Sequence, residues 1–149
     1  HEISKARIEQ VEQSCGKSNV RYTQLSSGNK QSEVLILDNM GMLLSVYALG
    51  DVAYVGGAFG KGLHNILEPA ACGLPVIFGP KYSKFLEAEE LIQAGGGFSI
   101  SNRDSFLKTF SELSNPDTLK AKSALCASFV QSKTGATQKI IRSLVSQLN

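Results

Sequence analysis

Apolar positions along the chain fall into two alternating patterns. Continuous runs at Val34-Leu35-Ile36-Leu37, Val52-Ala53-Tyr54-Val55 and Val76-Ile77-Phe78 have the length of strands covered on both faces. Val20 to Leu25 and Phe98 to Ile100 read as two shorter strands. The segments between them change period. Ile8, Val11 and Cys15 stripe one side of Ile3 to Cys15, and Leu43, Val46 and Tyr47 stripe Met42 to Leu49, a spacing that predicts helices. Further helices are predicted over Asn65 to Cys72, Phe85 to Ala94, Asp104 to Leu113, Asp117 to Ser132 and Ala136 to Leu148. Gly16, Gly73, Gly95-Gly96-Gly97 and Gly135 stand where helices should stop.

Short buried strands alternating with helices predict an α/β sandwich of three layers around a mostly parallel sheet. At 149 residues the chain reads as one domain, 1–149, with enough length for a real core. In such sheets ligands sit beyond the carboxyl ends of the strands, so the segments that follow the strands hold the candidate chemistry.

After Leu37 comes Asp38-Asn39-Met40-Gly41. Asp38 or Asn39 is placed to cap the next helix, and Gly41 would let a ligand approach the backbone. An ordinary capped loop accounts for the same residues. After Val55 comes Gly56-Gly57-Ala58-Phe59-Gly60-Lys61-Gly62. Loops of this kind expose backbone donors to phosphates or sugars. The pattern is not a P-loop, because Gly60-Lys61 is followed by Gly62 rather than by Ser or Thr. The helix predicted next would bring His64, Asn65 and Glu68 onto one face of its first turn by i,i+3 and i,i+4 spacing. Ile66, Leu67, Ala70 and Ala71 would face the core. Pro69 falls in the first turn, where its missing N–H costs little. A carboxylate beside a carboxamide suits a vicinal diol such as a ribose; a capping His64 and a Glu68 favoured by the helix dipole are the plainer alternatives.

Composition narrows the classes. The 15 Lys and Arg against 13 Asp and Glu give a net charge of +2 without a basic run, which argues against nucleic acid. Three cysteines and no CxxC point to reduced, mostly buried thiols in a cytosolic compartment. Two histidines, His1 and His64, make a poor metal-ligand set. No apolar run approaches the length of a membrane span, and no signal-peptide pattern opens the chain. The chain opens at His1 without methionine and is expected to be a fragment of something longer.

"GLHNILEPAACGLPVIFGP", preceded by "DNMGML" and "YALGDVAYVGG" and followed by "KYSKFLEAEELI", resembles the nucleotide-sugar motif of GT-B glycosyltransferases. Among these it most resembles the Kdo (3-deoxy-D-manno-octulosonic acid) transferases, whose signature is a GG, a variable loop, H-N-x-L-E-P-A, G-x-P-V and G-P. The match is good from about Val34 to Ile100. The resemblance implies the carboxyl-terminal, Rossmann-like donor-binding half of a two-domain enzyme, without its first strand or two. It implies transfer of Kdo from CMP-Kdo to lipid A precursor, with inversion, in lipopolysaccharide biosynthesis. No metal or other cofactor would be needed. The catalytic base would lie in the amino-terminal half that also holds the acceptor, so this chain alone would be inactive. The full-length protein would work at the cytoplasmic face of the inner membrane.

Carried over by the resemblance, Asn65 and Glu68 would hold the ribose hydroxyls, Met40 and Gly41 would turn backbone towards the CMP, and Gly57 and His64 would line the same pocket. His1 would end a basic nucleotide-binding segment. Two residues depart from the family pattern. Met42 stands where Glu is usual, and Lys61 stands in place of part of a second glycine pair, where it could meet a phosphate or the Kdo carboxylate. A GT-B domain that takes a UDP-sugar, as transferase or epimerase, is the alternative. A receiver-like regulatory module would need paired acids beside Asp38, and none are evident.

Overall fold

In the structure, a computed structural model, residues 3–16, 18–26 and 31–147 are described. The elements run α1 (Lys5–Cys15), β1 (Asn19–Arg21), a 3-10 turn (Tyr22–Gln24), β2 (Val34–Ile36), α2 (Leu43–Tyr47), β3 (Ala53–Val55), α3 (Leu67–Ala71), β4 (Val76–Phe78), α4 (Leu86–Gln93), β5 (Gly97–Ser99), α5 (Arg103–Leu113), α6 (Pro116–Ser132) and α7 (Ala136–Gln147). Each predicted strand and helix has a counterpart, but the strand expected over Val20 to Leu25 gives way after Arg21 to the 3-10 turn. The pairing is parallel throughout, as expected, but it forms two sheets: β1 with β2, and β3–β4–β5 in that order. The chain gathers into two compact units, His1–Val46 and Tyr47–Asn149.

The second unit is built on β4. Its three residues are all buried, and their alternation serves two cores. Val76 and Phe78 enter one cluster with Val55, Ile66, Ala70, Ala88, Leu91, Cys126 and Phe129. Ile77 turns the other way, towards Ile100 and Leu113, with Val52, Phe98 and Phe106 packed around them. Residues of α3, α4 and α6 therefore cover one face and α5 the other, the three-layer arrangement expected. β3 departs from expectation: Tyr54 is 53% exposed, so the strand is buried on one face only.

The first unit is small. α1 packs on β2. Arg21 on β1 donates from Nε and Nη2 to the two carboxylate oxygens of Glu12, each at 2.6 Å. That fork pins the helix to the sheet and holds the Glu12 carboxyl below its usual range. Leu35 is 45% exposed, so β2 too is not the doubly covered strand its sequence suggests. Of the three free cysteines, Cys126 is buried while Cys15 and Cys72 are half-buried. Burial raises the Cys126 thiol to about 11, offset in small part by Lys122.

Candidate functional site

The loop after β3 is wound on itself. The Gly57 carbonyl accepts from the N–H groups of Gly60 at 2.8 Å and Gly62 at 3.3 Å, and the Gly56 carbonyl accepts from His64 N at 3.3 Å. Lys81 clamps the loop from the far side: its backbone N–H donates to Ala58 O at 2.9 Å, and its Nζ donates to Gly60 O at 3.3 Å. Gly57 makes this winding possible. Its φ is +93°, and a Cβ there would lie 2.1 Å from Gly62 O and 3.1 Å from the His64 ring. No side chain fits that space, and L-residues rarely adopt that backbone.

The loop delivers the chain to α3, which begins at Leu67 with Ile66 as its N-cap. Here the expectation of a helix from His64 or Asn65 is corrected. His64 and Asn65 lie ahead of the helix, and the helical spacing is not what brings the polar group together. Asn65 does so by its side chain. Its Oδ1 accepts from Leu67 N at 2.9 Å, and its Nδ2 donates to Glu68 Oε1 at 2.8 Å. That local turn competes with helix and moves the start downstream. It also takes the first helical N–H, that of Leu67.

The buried side of α3 is Pro69 and Ala70, continued upstream by Ile66. Leu67 and Ala71, expected in the core, are exposed. Pro69 sits in the first turn as expected. Glu68 and Asn65 both face solvent. The result is a solvent-facing carboxylate with one oxygen held by Asn65. Tyr47, at a sequence position that gives no hint of it, feels the charge of Glu68. Its phenol is raised above its usual value, first by burial and then by the negative charges of Glu68 and Cys72.

The loop after β2 belongs to the first unit. Met40 is 78% exposed. Gly41 has φ +88° with nothing within 4 Å of a would-be Cβ, so backbone conformation rather than space calls for glycine. Asp38 does not cap α2. Its carboxylate accepts from Thr23 N at 3.1 Å and from the Thr23 hydroxyl, which ties the segments following β1 and β2 and holds the Asp38 carboxyl below its usual range. Asn39 does not cap either: its Nδ2 donates to Met42 Sδ at 3.0 Å, so the unusual Met42 is engaged locally. Lys61 is exposed and borders a hollow with Lys81 and Lys84. His1 lies outside the described residues. Among the described residues no group of three His, Cys, Asp or Glu side chains is arranged to hold a metal ion, and no helix is long and apolar enough to cross a membrane.

No protein-family model matches the chain. Individual relatives do. The chain is 32% identical over 148 residues, 95% of its length, to a 3-deoxy-D-manno-octulosonic acid transferase of Chlamydia pneumoniae. It is 37% identical over 87 residues to the 3-deoxy-D-manno-octulosonic acid transferase of Aquifex aeolicus. It spans about a third of the length of the first and a quarter of the second, 34% and 25%. Among solved structures, the C-terminal CMP-Kdo binding domain of WaaA from Acinetobacter baumannii superimposes with a TM-score of 0.72 at 25% identity, over 85% of this chain and 67% of that one. In sequence along nearly all its length, and in fold, the chain is thus a relative of the 3-deoxy-D-manno-octulosonic acid transferases, a family of GT-B glycosyltransferases, and it matches their carboxyl-terminal nucleotide-sugar-binding domain.

Proposed function

We propose that the chain binds CMP-Kdo as the donor half of an inverting transferase that passes Kdo to a lipid A precursor. Glu68 takes the ribose diol through its carboxylate, which Asn65 orients by its bond to Oε1. Gly57 and His64 shape the loop beside it. The observation that carries the reading is the Asn65–Glu68 bond at 2.8 Å on a solvent-facing turn. A fixed acceptor pays little ordering entropy when two hydroxyls arrive. The similarity to the CMP-Kdo binding domain of WaaA supports the choice of donor.

The chemistry asked of this half is modest. The leaving group is CMP, and polar groups placed where charge develops on its phosphate supply the electrostatic share of catalysis. The attacking hydroxyl needs a general base, which we assign to an amino-terminal half along with the acceptor. By this reading the isolated chain is inactive, neither metal nor other cofactor takes part, and the whole enzyme works at the cytoplasmic face of the inner membrane.

Titration calorimetry with CMP, UMP and UDP tests the nucleotide directly. CMP is expected to bind best; tighter UDP binding would favour a UDP-sugar enzyme. A charge-assisted hydrogen bond contributes about 1.5–3 kcal/mol. Glu68→Ala should therefore weaken CMP binding by roughly one to two orders of magnitude, with an unchanged circular dichroism spectrum because the side chain is exposed. An unchanged affinity in the folded variant would return Glu68 to the role of a helix-terminal charge.

A further inference from the structure

Between the glycine loop and the loop after β4 lies a hollow of about 350 Å3 lined by Lys61, Gly62, Lys81, Ser83, Lys84 and Phe85. Its walls are held by bonds already in place. Lys81 N donates to Ala58 O at 2.9 Å and Phe85 N to Tyr82 O at 2.8 Å. The Phe85 ring lies against Gly62, 3.5 Å from where a Cβ would stand. All three ammonium-bearing side chains are exposed at its rim, and among the described residues none of them is in an ion pair. The side-chain bond shown for them among the described residues, Lys81 Nζ to Gly60 O, goes to a neutral carbonyl and does not neutralise the charge. The hollow also abuts the start of α4, whose N-cap Phe85 supplies no side-chain cap, so the partial positive charge of that helix end adds to the lysines. Glu87 and Glu89 sit in the same first turn but do not line the hollow.

Three like charges around one cavity repel one another, and an anion in the cavity reverses the sign of that energy. Glu68, by contrast, is itself negative and suits hydroxyls rather than anions. A ligand that carries both a diol and negative groups needs two kinds of partner, and unit Tyr47–Asn149 offers both. We propose that the lysine hollow is an oxyanion site, taking a phosphate or carboxylate of the substrate while the Asn65–Glu68 pair takes a diol. The hollow's affinity for oxyanions stands on its own geometry; only the choice of substrate rests on the nucleotide-sugar reading above.

Amide chemical shifts of the 15N-labelled protein, followed against inorganic phosphate, free Kdo and uncharged cytidine, test this. Phosphate or Kdo should move the amides of Gly62, Ser83 and Phe85 saturably, and cytidine should not. Tighter binding of phosphate names a phosphoryl group as the occupant, and tighter binding of Kdo names the carboxylate. Lys84→Gln should weaken the anion about five- to tenfold, and Lys61→Gln with Lys84→Gln further, while Lys84→Arg keeps it. Raising salt should weaken binding in the parent protein. No saturable shift with either anion, equal affinity in the folded double variant, or an equal response to cytidine would overturn the proposal. Loss of CMP recognition in a protein whose hollow still binds phosphate would sink the nucleotide reading and leave this one standing.

Discussion

Two adjacent glycines with opposite surroundings give the sharpest test of the loop. At Gly57 an added methyl would sit 2.1 Å from Gly62 O and 3.1 Å from His64, on a backbone at φ +93°. At Gly56 the nearest atom to an added methyl is His64 Cδ2 at 4.0 Å. For Gly57→Ala the backbone strain alone is worth about 1–3 kcal/mol. The Gly60 and Gly62 bonds to the Gly57 carbonyl, at 2.8 and 3.3 Å, cannot both survive the shift, and each contributes about 0.5–1.5 kcal/mol. With one or both bonds lost the sum is about 1.5–6 kcal/mol, or a fall in Tm of roughly 6 °C or more for a unit of this size. Gly56→Ala should stay within about 0.5 kcal/mol. Thermal melts followed by circular dichroism compare the two, and CMP titration of the same samples asks whether the altered loop also loses its ligand. If the two variants melt together and bind alike, the loop is not wound as described and the reasoning fails.

Two further outcomes are expected. With its thiol raised to about 11, Cys126 is roughly one part in a thousand thiolate at pH 8; mass spectrometry after brief alkylation of the native protein should find label on Cys15 and Cys72 first, and early labelling of Cys126 would contradict its burial. The Glu12 carboxyl is held below its usual value chiefly by its bond to Arg21, so its contribution is full above the unfolded carboxyl's pKa and is lost as pH falls through the lowered folded value. Glu12→Gln should thus flatten the acid limb of hydrogen-exchange protection in α1 and β1 and leave α6 alone.

How much of this the sequence disclosed depends on what kind of signal each residue gives. β4 was plain because all three of its residues are buried, and an unbroken apolar run means what it seems to. The same kind of run misled at Leu35 and Tyr54, since an apolar side chain reads alike whether or not anything covers it. Asn65 and Glu68 were picked out correctly as neighbours, but for the wrong reason: spacing suggested a shared helical face, while an Asn side chain bonded to Leu67 N makes the junction and delays the helix. The same preference for local side-chain bonds hid the fate of Asp38, which caps nothing and instead receives Thr23. The influence of Glu68 on Tyr47, and the gathering of Lys81 and Lys84 with Lys61 around one hollow, join distant parts of the chain that no local pattern encodes. The departure of Lys61 from the family pattern was the one visible trace of the hollow.

α3 is only five residues long, too short to hold its own shape in water. Its geometry is borrowed from Ile66 and Ala70, which share a cluster with Cys126 and Phe129 of α6, and α6 is the helix it packs against most extensively. The aim of the Glu68 carboxylate is therefore stored in side chains that no ligand would ever touch. A search for variants with impaired nucleotide use would recover buried α6 positions as readily as Glu68 itself. Enlarging or trimming Phe129 offers a way to detune the site by degrees while every polar group in it stays in place.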